Sequence, residues 1–408
     1  MRAVGRGACA PVNGSTEAVR DATREPPVGV RVRSNAQDLK GRHMKTRAAV
    51  AIAPETDLEI REIEVDEPRS DELRVKIVAS GVCHTDAIIR DQWYPVPLPV
   101  VLGHEGAGIV EAVGSDVQGF SVGDKVVMGP AFCGQCEQCL AGHPMYCVNF
   151  YDRNFGVERV DGSKTFSDQN GAIGSHFFGQ SSFAEYTNVA ARGAVKVPDD
   201  VPLEILGPLG CGIMTGAGAV LNVLEPKPGS SIAVFGTGAV GMAGMLAAKA
   251  AGATTIIMVD IVPERLAFAK ELGATHTVNS KEVDPVEAIK EITGGGVNYA
   301  LDTTGVPPVF SQMTQSLATR GHGALVGAAK LGTEAPFAIG NLLLTGIKVS
   351  MVIEGDAVPK EFIPRLISLH AQGMFPFDKL IKKYKFEDIN QAFADSADGS
   401  TLKPVIVF

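Results

Sequence analysis

The sequence has little of what marks a membrane-spanning, secreted or nucleic-acid-binding protein. Basic residues are in deficit, 37 against 46 acidic, and the net charge of −9 gives no electrostatic reason to expect nucleic acid or an anionic membrane as a partner. We expect no secretory signal, because the first residues contain no sustained apolar stretch. The remaining composition, 45% apolar and 20% charged over 408 residues, is ordinary for a globular protein large enough for two domains.

One uncharged segment, residues 228–248, approaches the length of a membrane span. Five glycines interrupt it: Gly229, Gly236, Gly238, Gly241 and Gly244. That density favours a buried strand, a tight turn and a packed helix, so we expect no transmembrane helix.

Residues 1–43 differ from the rest of the chain, because they are rich in Gly, Pro, Ser and basic residues and have no apolar period. We expect a disordered tail or an upstream start that is not part of the native protein, and no role for Cys9 within it. Free thiols and the expected lack of a signal favour a cytoplasmic location.

Four of the seven cysteines lie in the run CGQCEQCLAGHPMYC, at Cys133, Cys136, Cys139 and Cys147. Two C-x2-C steps place three sulfurs on one side of an ion, and the return to Cys147 supplies the fourth. A disulfide cluster is the alternative, but this spacing in a long chain without a secretory signal favours metal. Four thiolates leave no open coordination position, so the run predicts a structural zinc site.

Two patterns divide the chain. Short β-like runs at 73–78, 107–113, 124–128 and 182–189 predict a β-rich domain. From about residue 230 strands and helices alternate, which predicts a doubly wound parallel sheet and an α/β class. Helices at 360–371 and 386–397 and a last strand at 404–408 follow, and we expect that strand to return to the first domain. The predicted division is a catalytic domain over 44–212 and 356–408, with its zinc lobe at about 129–150, and a cofactor domain over 213–355.

A dinucleotide-binding turn is predicted at GTGAVG, which contains Gly236, Gly238, Val240 and Gly241 and lies between a β-branched run and a helix. The first glycine permits the tight turn, the second admits the pyrophosphate, and the third allows close helix–strand packing. Asp260 ends the next strand and can accept hydrogen bonds from the adenosine-ribose hydroxyls. A 2′-phosphate would be repelled there, so the sequence favours NAD over NADP.

A second metal set is suggested by Cys83 in GVCHTD, His104 with Glu105 in GHEGAG, and Cys211 in LGCGIMTGAG. Each residue alone is more often a buried structural residue. Together two cysteines and a histidine give a Cys2His set with a fourth position open, for which the general example is alcohol dehydrogenase.

From about residue 44 to its end the chain resembles the zinc-dependent medium-chain alcohol dehydrogenases, which combine GHE, the four-cysteine lobe and GxGxxG in this order. The resemblance implies a GroES-like β-rich catalytic domain, a Rossmann cofactor domain, two zinc ions per chain, NAD and a homodimer or homotetramer. It implies that Cys83, His104 and Cys211 hold the catalytic zinc, with Glu105 an occasional ligand just behind it. Carried over position by position, it gives further roles: Asp86 orients His104, Thr85 takes the alcohol proton, His84 and Lys403 approach the cofactor phosphates, Thr215 lies near the nicotinamide, and Arg265 lies beside the adenosine.

One position departs from several members of that family, where a histidine three residues after the relay hydroxyl passes the proton on. Here that residue is Ile88, so the proton's exit is left unassigned. The implied reaction is hydride transfer from an alcohol to NAD, with zinc acting on the alcohol oxygen as a Lewis acid.

The substrate is expected to be a primary aryl or allylic alcohol, because runs such as RDQWYPVPLPVVLGHEGAG and SHFFGQSSFAEY resemble the benzyl alcohol dehydrogenase branch. Trp93 and Tyr94 are candidates for a flat apolar pocket, against ordinary core packing. Geraniol or another terpene alcohol is the alternative, and S-(hydroxymethyl)glutathione is less favoured because it would need a more cationic pocket.

Two other classes of protein fit the sequence less well. A zinc- and NAD-binding protein without turnover has no need of an open metal position together with Thr85 and Asp86. A zinc-free quinone reductase is disfavoured because the sequence supplies both ligand sets.

Overall fold

The computed structural model describes residues 44–408, so the predictions for residues 1–43 and Cys9 lie outside it. Short strands dominate the part that precedes residue 200. They are β1 (Met44–Ala51), β2 (Glu59–Val65), β3 (Glu72–Gly81), β4 (Val100–Val101), β5 (Glu105–Val113), β6 (Lys125–Met128), β7 (Phe166–Asp168), β8 (Gly171–Ile173), β9 (Tyr186–Ala190) and β10 (Ala194–Lys196). Short helices lie between or after them: α1 (His84–Arg90), α2 (Glu137–Leu140), α3 (Phe150–Phe155), α4 (Leu203–Leu206) and α5 (Gly212–Gly218).

Strands and helices then alternate, as the sequence predicts. The elements are β11 (Ser231–Phe235), α6 (Ala239–Ala250), β12 (Thr255–Asp260), α7 (Pro263–Leu272), β13 (His276–Asn279), α8 (Pro285–Thr293), β14 (Val297–Asp302), α9 (Pro307–Gln315), β15 (Leu317–Leu325), α10 (Ile339–Leu343), β16 (Lys348–Met351), α11 (Pro359–Ala371), β17 (Ile381–Lys385), α12 (Ile389–Asp398) and β18 (Lys403–Val407).

Strands β11 to β16 form one parallel sheet in the order β13-β12-β11-β14-β15-β16. The strand order reverses between β11 and β14, which is where dinucleotides bind in such sheets. Helices cover both faces of this sheet, so its strands are apolar on both sides. Ile232 and Val234 are buried in one hydrophobic cluster, and Phe235 is buried in another.

Two other sheets build the β-rich part, in the orders β4-β1-β2-β7-β8 and β10-β6-β5-β3-β18-β17. The C-terminal strand β18 pairs with β3 in antiparallel fashion, so the end of the chain does return to this part. The strand expected over 182–189 begins later, at Tyr186. The backbone N–H groups of Ser182 and Phe183 instead donate to the carbonyls of Gly103 and Leu102, which places them beside the predicted ligand His104 before β9 begins.

No single helix within residues 44–408 is long and apolar enough to cross a membrane. A bent pair, Leu203–Gly210 with Gly212–Leu224, meets that length and composition test together, with a 57° bend. Most of the uncharged segment 228–248 is buried strand, turn and helix.

Candidate active site

The four cysteines of the lobe converge although they come from one short stretch. Their sulfurs lie within 4.8 Å of one another, with 3.9 Å between Cys133 and Cys139 and 4.0 Å between Cys136 and Cys147. Backbone N–H groups of Cys139 and Val148 lower the pKa of the Cys136 thiol to about 6. Such donors stabilise thiolates, which is the form that binds zinc.

The second set is assembled from distant parts of the chain. Cys83 precedes α1 where β3 ends, His104 directly precedes β5, and Cys211 precedes α5. Ligand atoms of these three residues and of Glu105 lie within 4.8 Å of one another. Antiparallel pairing of β3 with β5, including Gly81 opposite Glu105, brings the first two ligands together.

Asp86 fixes the orientation of His104. Its Oδ1 atom lies 2.8 Å from His104 Nδ1 and also accepts the backbone N–H of Gly103 at 3.1 Å, while Oδ2 accepts the N–H of Cys83 at 3.0 Å. Both side chains are fully buried. The other ring nitrogen of His104, Nε2, is buried and has no hydrogen-bond partner within residues 44–408, which fits a metal ligand.

The two thiols of this set shift each other's pKa in opposite directions. The Cys211 thiol, acting as donor, lowers the pKa of Cys83 well below its usual value, and the same pairing together with burial raises that of Cys211. Burial opposes the imidazolium of His104, yet Asp86 and Cys83 raise its pKa well above the usual value. The hydroxyl of Thr85 lies 3.8 Å from the Cys83 sulfur, so the predicted relay residue is at the ligand cluster.

Lys403 contacts Glu105, a pairing that the sequence did not suggest. Its Nζ atom lies 2.8 and 3.0 Å from the two Glu105 carboxylate oxygens and 3.2 Å from the carbonyl oxygen of Val82. Lys403 is 3% exposed and Glu105 fully buried. Burial raises the pKa of Glu105, and Lys403 counteracts that effect. The lysine thus neutralises the acid that stands behind the metal ligands.

Aromatic rings cover His104. The ring of Phe178 is tilted over the imidazole with centroids 4.6 Å apart, and Phe177 meets it edge-on at 5.4 Å. Phe155 packs edge-on against both phenylalanines. Phe178 has a left-handed φ of 50°, which is unusual for a bulky residue and places its ring at the ligand. Sequence reasoning named the FFG run only as a resemblance and assigned Phe178 no role.

The two aromatic residues predicted for a substrate pocket follow α1 and are only partly buried or exposed. Trp93 is 41% exposed, meets the His84 ring edge-on at 6.1 Å, and has Lys330 4.4 Å over its ring. The half-buried Tyr94 donates its hydroxyl to the carbonyl of Ala329. Both residues therefore contact the segment after β15, and Trp93 is covered by a cation rather than by core side chains.

The glycine-rich turn has the geometry that the motif predicts. Gly236 has a φ of 95°, and a Cβ on Gly241 would overlap the carbonyl of Gly236, so helix α6 packs directly on the turn. A Cβ on Gly238 would meet nothing within 4 Å, which leaves open space beside the turn. Helix α6 begins after Gly238, so its first N–H groups, including that of Val240, are available to an anion.

Asp260 stands at the carboxyl end of β12, as predicted, but its carboxylate is occupied by the protein. Oδ2 accepts the N–H and the hydroxyl of Thr237, both at 2.6 Å, and Oδ1 accepts the N–H groups of Ile261 and Val262. A carboxylate has about four lone-pair positions, so a ribose hydroxyl would displace or share one of these donors.

Arg265 and Thr215 lie on different helices and have different partners. Arg265 is half-buried on α7 and donates to the carbonyl of Gly399 at 3.3 Å. Thr215 lies on α5, 9% exposed, and its hydroxyl donates to Glu354 at 3.3 Å.

Glu354 is a site residue that the sequence reasoning missed. It is 8% exposed, and its carboxylate also accepts from the Cys211 thiol at 3.4 Å. Burial raises its pKa to about 7. The available signal was an acid three residues after the last strand of a parallel sheet, at the edge where such folds bind ligands.

The residues fit the groups that the sequence implies. A set of four cysteines and a Cys2His set, in which His104 Nε2 has no hydrogen-bond partner among the described residues, suit two zinc ions. Open space at Gly238 and free N–H groups at α6 suit a pyrophosphate.

Comparison with known proteins agrees with this geometry. Residues 69–199 match the alcohol dehydrogenase GroES-like domain, and residues 239–372 match the zinc-binding dehydrogenase domain. Geraniol dehydrogenase of Castellaniella defragrans is 43% identical over 367 residues, 90% of this chain and 98% of that protein.

Two crystal structures cover 90% of this chain and 99% of their own. An alcohol dehydrogenase zinc-binding domain protein from Burkholderia ambifaria is 55% identical with a TM-score of 0.88. Benzyl alcohol dehydrogenase from Acinetobacter calcoaceticus is 51% identical with a TM-score of 0.87.

Proposed function

This chain belongs to the zinc-dependent alcohol dehydrogenase family, and from that premise we propose that it oxidises primary aryl alcohols of the benzyl type to aldehydes with NAD. The observation that carries the substrate class is the aromatic cover of His104 by Phe178, 4.6 Å between ring centroids. A flat unsaturated substrate beside that ring gains offset or edge-on aromatic contact that a small aliphatic alcohol lacks.

When bound, zinc supplies Lewis-acid polarisation of the alcohol oxygen, and NAD supplies the acceptor for hydride. Cys83, His104 and Cys211 would hold that metal. Asp86 keeps His104 in the tautomer with a proton on Nδ1, which leaves Nε2 free to bind. The Thr85 hydroxyl, beside Cys83, is placed to receive the alcohol proton.

NAD is preferred over NADP in this proposal because Asp260 stands where β12 ends, and its charge would repel a 2′-phosphate. Gly236, Gly238, Val240 and Gly241 would hold the pyrophosphate at α6. His84, exposed at the start of α1, and Arg265 are proposed to contact the phosphates and the adenosine. Lys403 is also proposed to lie near the phosphates. Its charge is paired with Glu105, so it would not act there as a free cation.

A terpene alcohol is the second candidate, because the 43% identical relative is named geraniol dehydrogenase. Geraniol is allylic, so it shares with benzyl alcohol a carbinol carbon next to an unsaturated carbon. The two candidates differ in how much they need the ring of Phe178.

The test is a comparison of kcat/KM for benzyl alcohol, cinnamyl alcohol, geraniol, ethanol and S-(hydroxymethyl)glutathione, followed through NADH absorbance, in zinc-loaded wild type and Phe178→Leu. We expect benzyl alcohol to lead in the wild type and its kcat/KM to fall about two- to tenfold in the variant, since an aromatic pair contributes about 0.5–1.5 kcal/mol beyond its buried area. Phe120→Leu, in a separate hydrophobic cluster, is the control.

If geraniol leads and Phe178→Leu leaves its rate unchanged, the terpene alcohol is the substrate. Absence of turnover with all five alcohols, in a protein carrying two zinc ions, would contradict the proposed function.

We also propose that the chain forms a homodimer, or a homotetramer built from such dimers. β16 is an edge strand of the parallel sheet, and large apolar side chains are exposed on it and around it. These are Ile339, Leu343, Leu344, Met351 and Ile353. Light scattering after gel filtration should give at least twice the chain mass, and Leu344→Glu should lower it.

The six described cysteines form no disulfide, which supports a reducing, cytoplasmic location.

A further inference from the structure

Glu354 is an acidic side chain in the active site for which the proposed chemistry has no use. Its Oε2 accepts from Thr215 and its Oε1 from the weak thiol donor of Cys211. Protein groups thus fill about half of the four positions at which a carboxylate can accept. Glu354 is outside the set of mutually close ligand atoms, which contains Glu105 instead. Both oxygens of Glu354 thus have a protein partner, and each retains capacity for one further donor from a ligand.

The sheet order indicates which part of a dinucleotide reaches Glu354. Asp260 ends β12, the glycine-rich turn follows β11, and Glu354 comes three residues after β16, all at the carboxyl edge of parallel strands. A dinucleotide with its adenosine at β12 and its pyrophosphate at β11 therefore extends past β14 and β15 toward β16. Its nicotinamide must also lie close to Cys83, His104 and Cys211 for hydride to reach it from a substrate there.

The backbone around Glu354 is held in an uncommon conformation. Glu354, Gly355 and Asp356 have φ values of 49°, 67° and 47°, all left-handed. A Cβ on Gly355 would lie 2.7 Å from the Cα of Gly218 on α5, so only glycine permits this approach. Asn222 donates to the carbonyl of Gly355 at 3.1 Å. Strained segments of this kind persist where a side chain must be aimed at a ligand.

We propose that Glu354 accepts a hydrogen bond from the carboxamide NH2 of the nicotinamide, beside Thr215, and so sets the rotation of the ring in the cleft. This inference rests on the proposed function, because it requires a nicotinamide dinucleotide in this cleft. Glu354 is then a specificity-determining residue for the carboxamide.

The test uses two reduced cofactors that differ at one group: NADH, and the 3-acetylpyridine analogue, which keeps the carbonyl and replaces NH2 by methyl. Both rings are neutral, so the charge of Glu354 affects them equally. Dissociation constants are measured by calorimetry on zinc-loaded protein without alcohol. We expect wild type to bind NADH about tenfold more tightly than the analogue, the size of one hydrogen bond.

In Glu354→Met the preference for NADH over the analogue should fall below about twofold, because only the carboxamide of NADH loses a hydrogen-bond acceptor. Glu354→Gln, which keeps an acceptor oxygen, should retain most of it. Glu361→Gln, an exposed carboxylate on α11, is the control and should match wild type. If Glu354→Met does not fold, Glu354→Asp withdraws the acceptor by one CH2 group and suits a left-handed φ.

Equal weakening of both cofactors in Glu354→Met, with the preference intact, would overturn the carboxamide role and leave the proposed function in place. Failure of wild type to bind either cofactor would overturn both the carboxamide role and the proposed function.

Discussion

Oδ1 of Asp86 lies 2.8 Å from Nδ1 of His104, and neither side chain is exposed. Partners of this kind orient a metal-binding imidazole, and their loss costs about 10–100-fold in metal affinity or activity. Asp86→Asn should therefore lower the zinc content from about two ions per chain toward one and reduce turnover by that factor. Elemental analysis after dialysis against a weak chelator measures the zinc content. Asp91→Asn, at the far end of α1, should keep both ions.

The two metal sets should respond differently to loss of one cysteine. Cys133→Ser opens the lobe cage, so we expect the midpoint of thermal unfolding to fall by more than about 5 °C, since a closed zinc site contributes folding energy. Cys83→Ser should abolish turnover while NADH binding persists. Calorimetric scans and NADH titration of both variants check this, and the reverse pattern would exchange the two assignments.

Lys403 and Glu105 form a buried ion pair, so removing one partner strands a charge. Lys403→Met should destabilise the protein by about 3–5 kcal/mol, whereas the double variant Lys403→Met with Glu105→Gln should recover much of that loss. The free energy of unfolding in urea gives the comparison. Equal loss in the single and double variants would mean that the pair is not coupled.

Asp260→Gly should weaken NAD binding and shift the cofactor preference toward NADP. Asp260 also accepts hydrogen bonds from Thr237, so the substitution disturbs the glycine-rich turn as well as the ribose site. Thr237→Val removes that hydroxyl and keeps the carboxylate, so it serves as the control and should retain the NAD preference. An unchanged ratio of NAD to NADP affinity in Asp260→Gly would contradict the ribose role.

His176 should make the fold sensitive to acid. Burial lowers the pKa of its imidazole to about 4, below the value near 6.5 in the unfolded chain. The unfolded chain therefore binds a proton that the folded one refuses, and stability is lost as the pH falls from about 6.5 toward 4. By pH 5 the loss amounts to about 2 kcal/mol.

His176→Asn should remove this loss, because asparagine does not titrate and tolerates the left-handed φ of 60°. The variant gives up the 2.7 Å hydrogen bond to Thr165, so it should be less stable than wild type at pH 7 and should lose less on acidification. Urea unfolding at pH 7 and pH 5 provides the slopes. His276→Asn, at an exposed position, should retain the wild-type slope.

The sequence by itself determined the α/β class and the strand–turn–helix around Gly236, and it predicted the metal ligands. These follow from local rules: C-x2-C spacing closes one cage, and apolar period with glycine position defines the turn. Cys83, His104 and Cys211 were named because each residue type can bind zinc, and Asp86 because the resemblance to the zinc-dependent alcohol dehydrogenases implies that role. Antiparallel pairing of β3 with β5 then brings Cys83 and His104 together.

Only the tertiary structure decided which groups surround that cluster. Lys403 lies against Glu105 because β18 returns to β3, Phe178 covers His104 because its backbone turns left-handed, and Glu354 reaches Thr215 because β16 ends beside α5. Such contacts join residues more than a hundred positions apart or depend on single backbone angles. No local pattern in the sequence encodes them, since they arise when separate layers pack and exclude water from the polar groups between them.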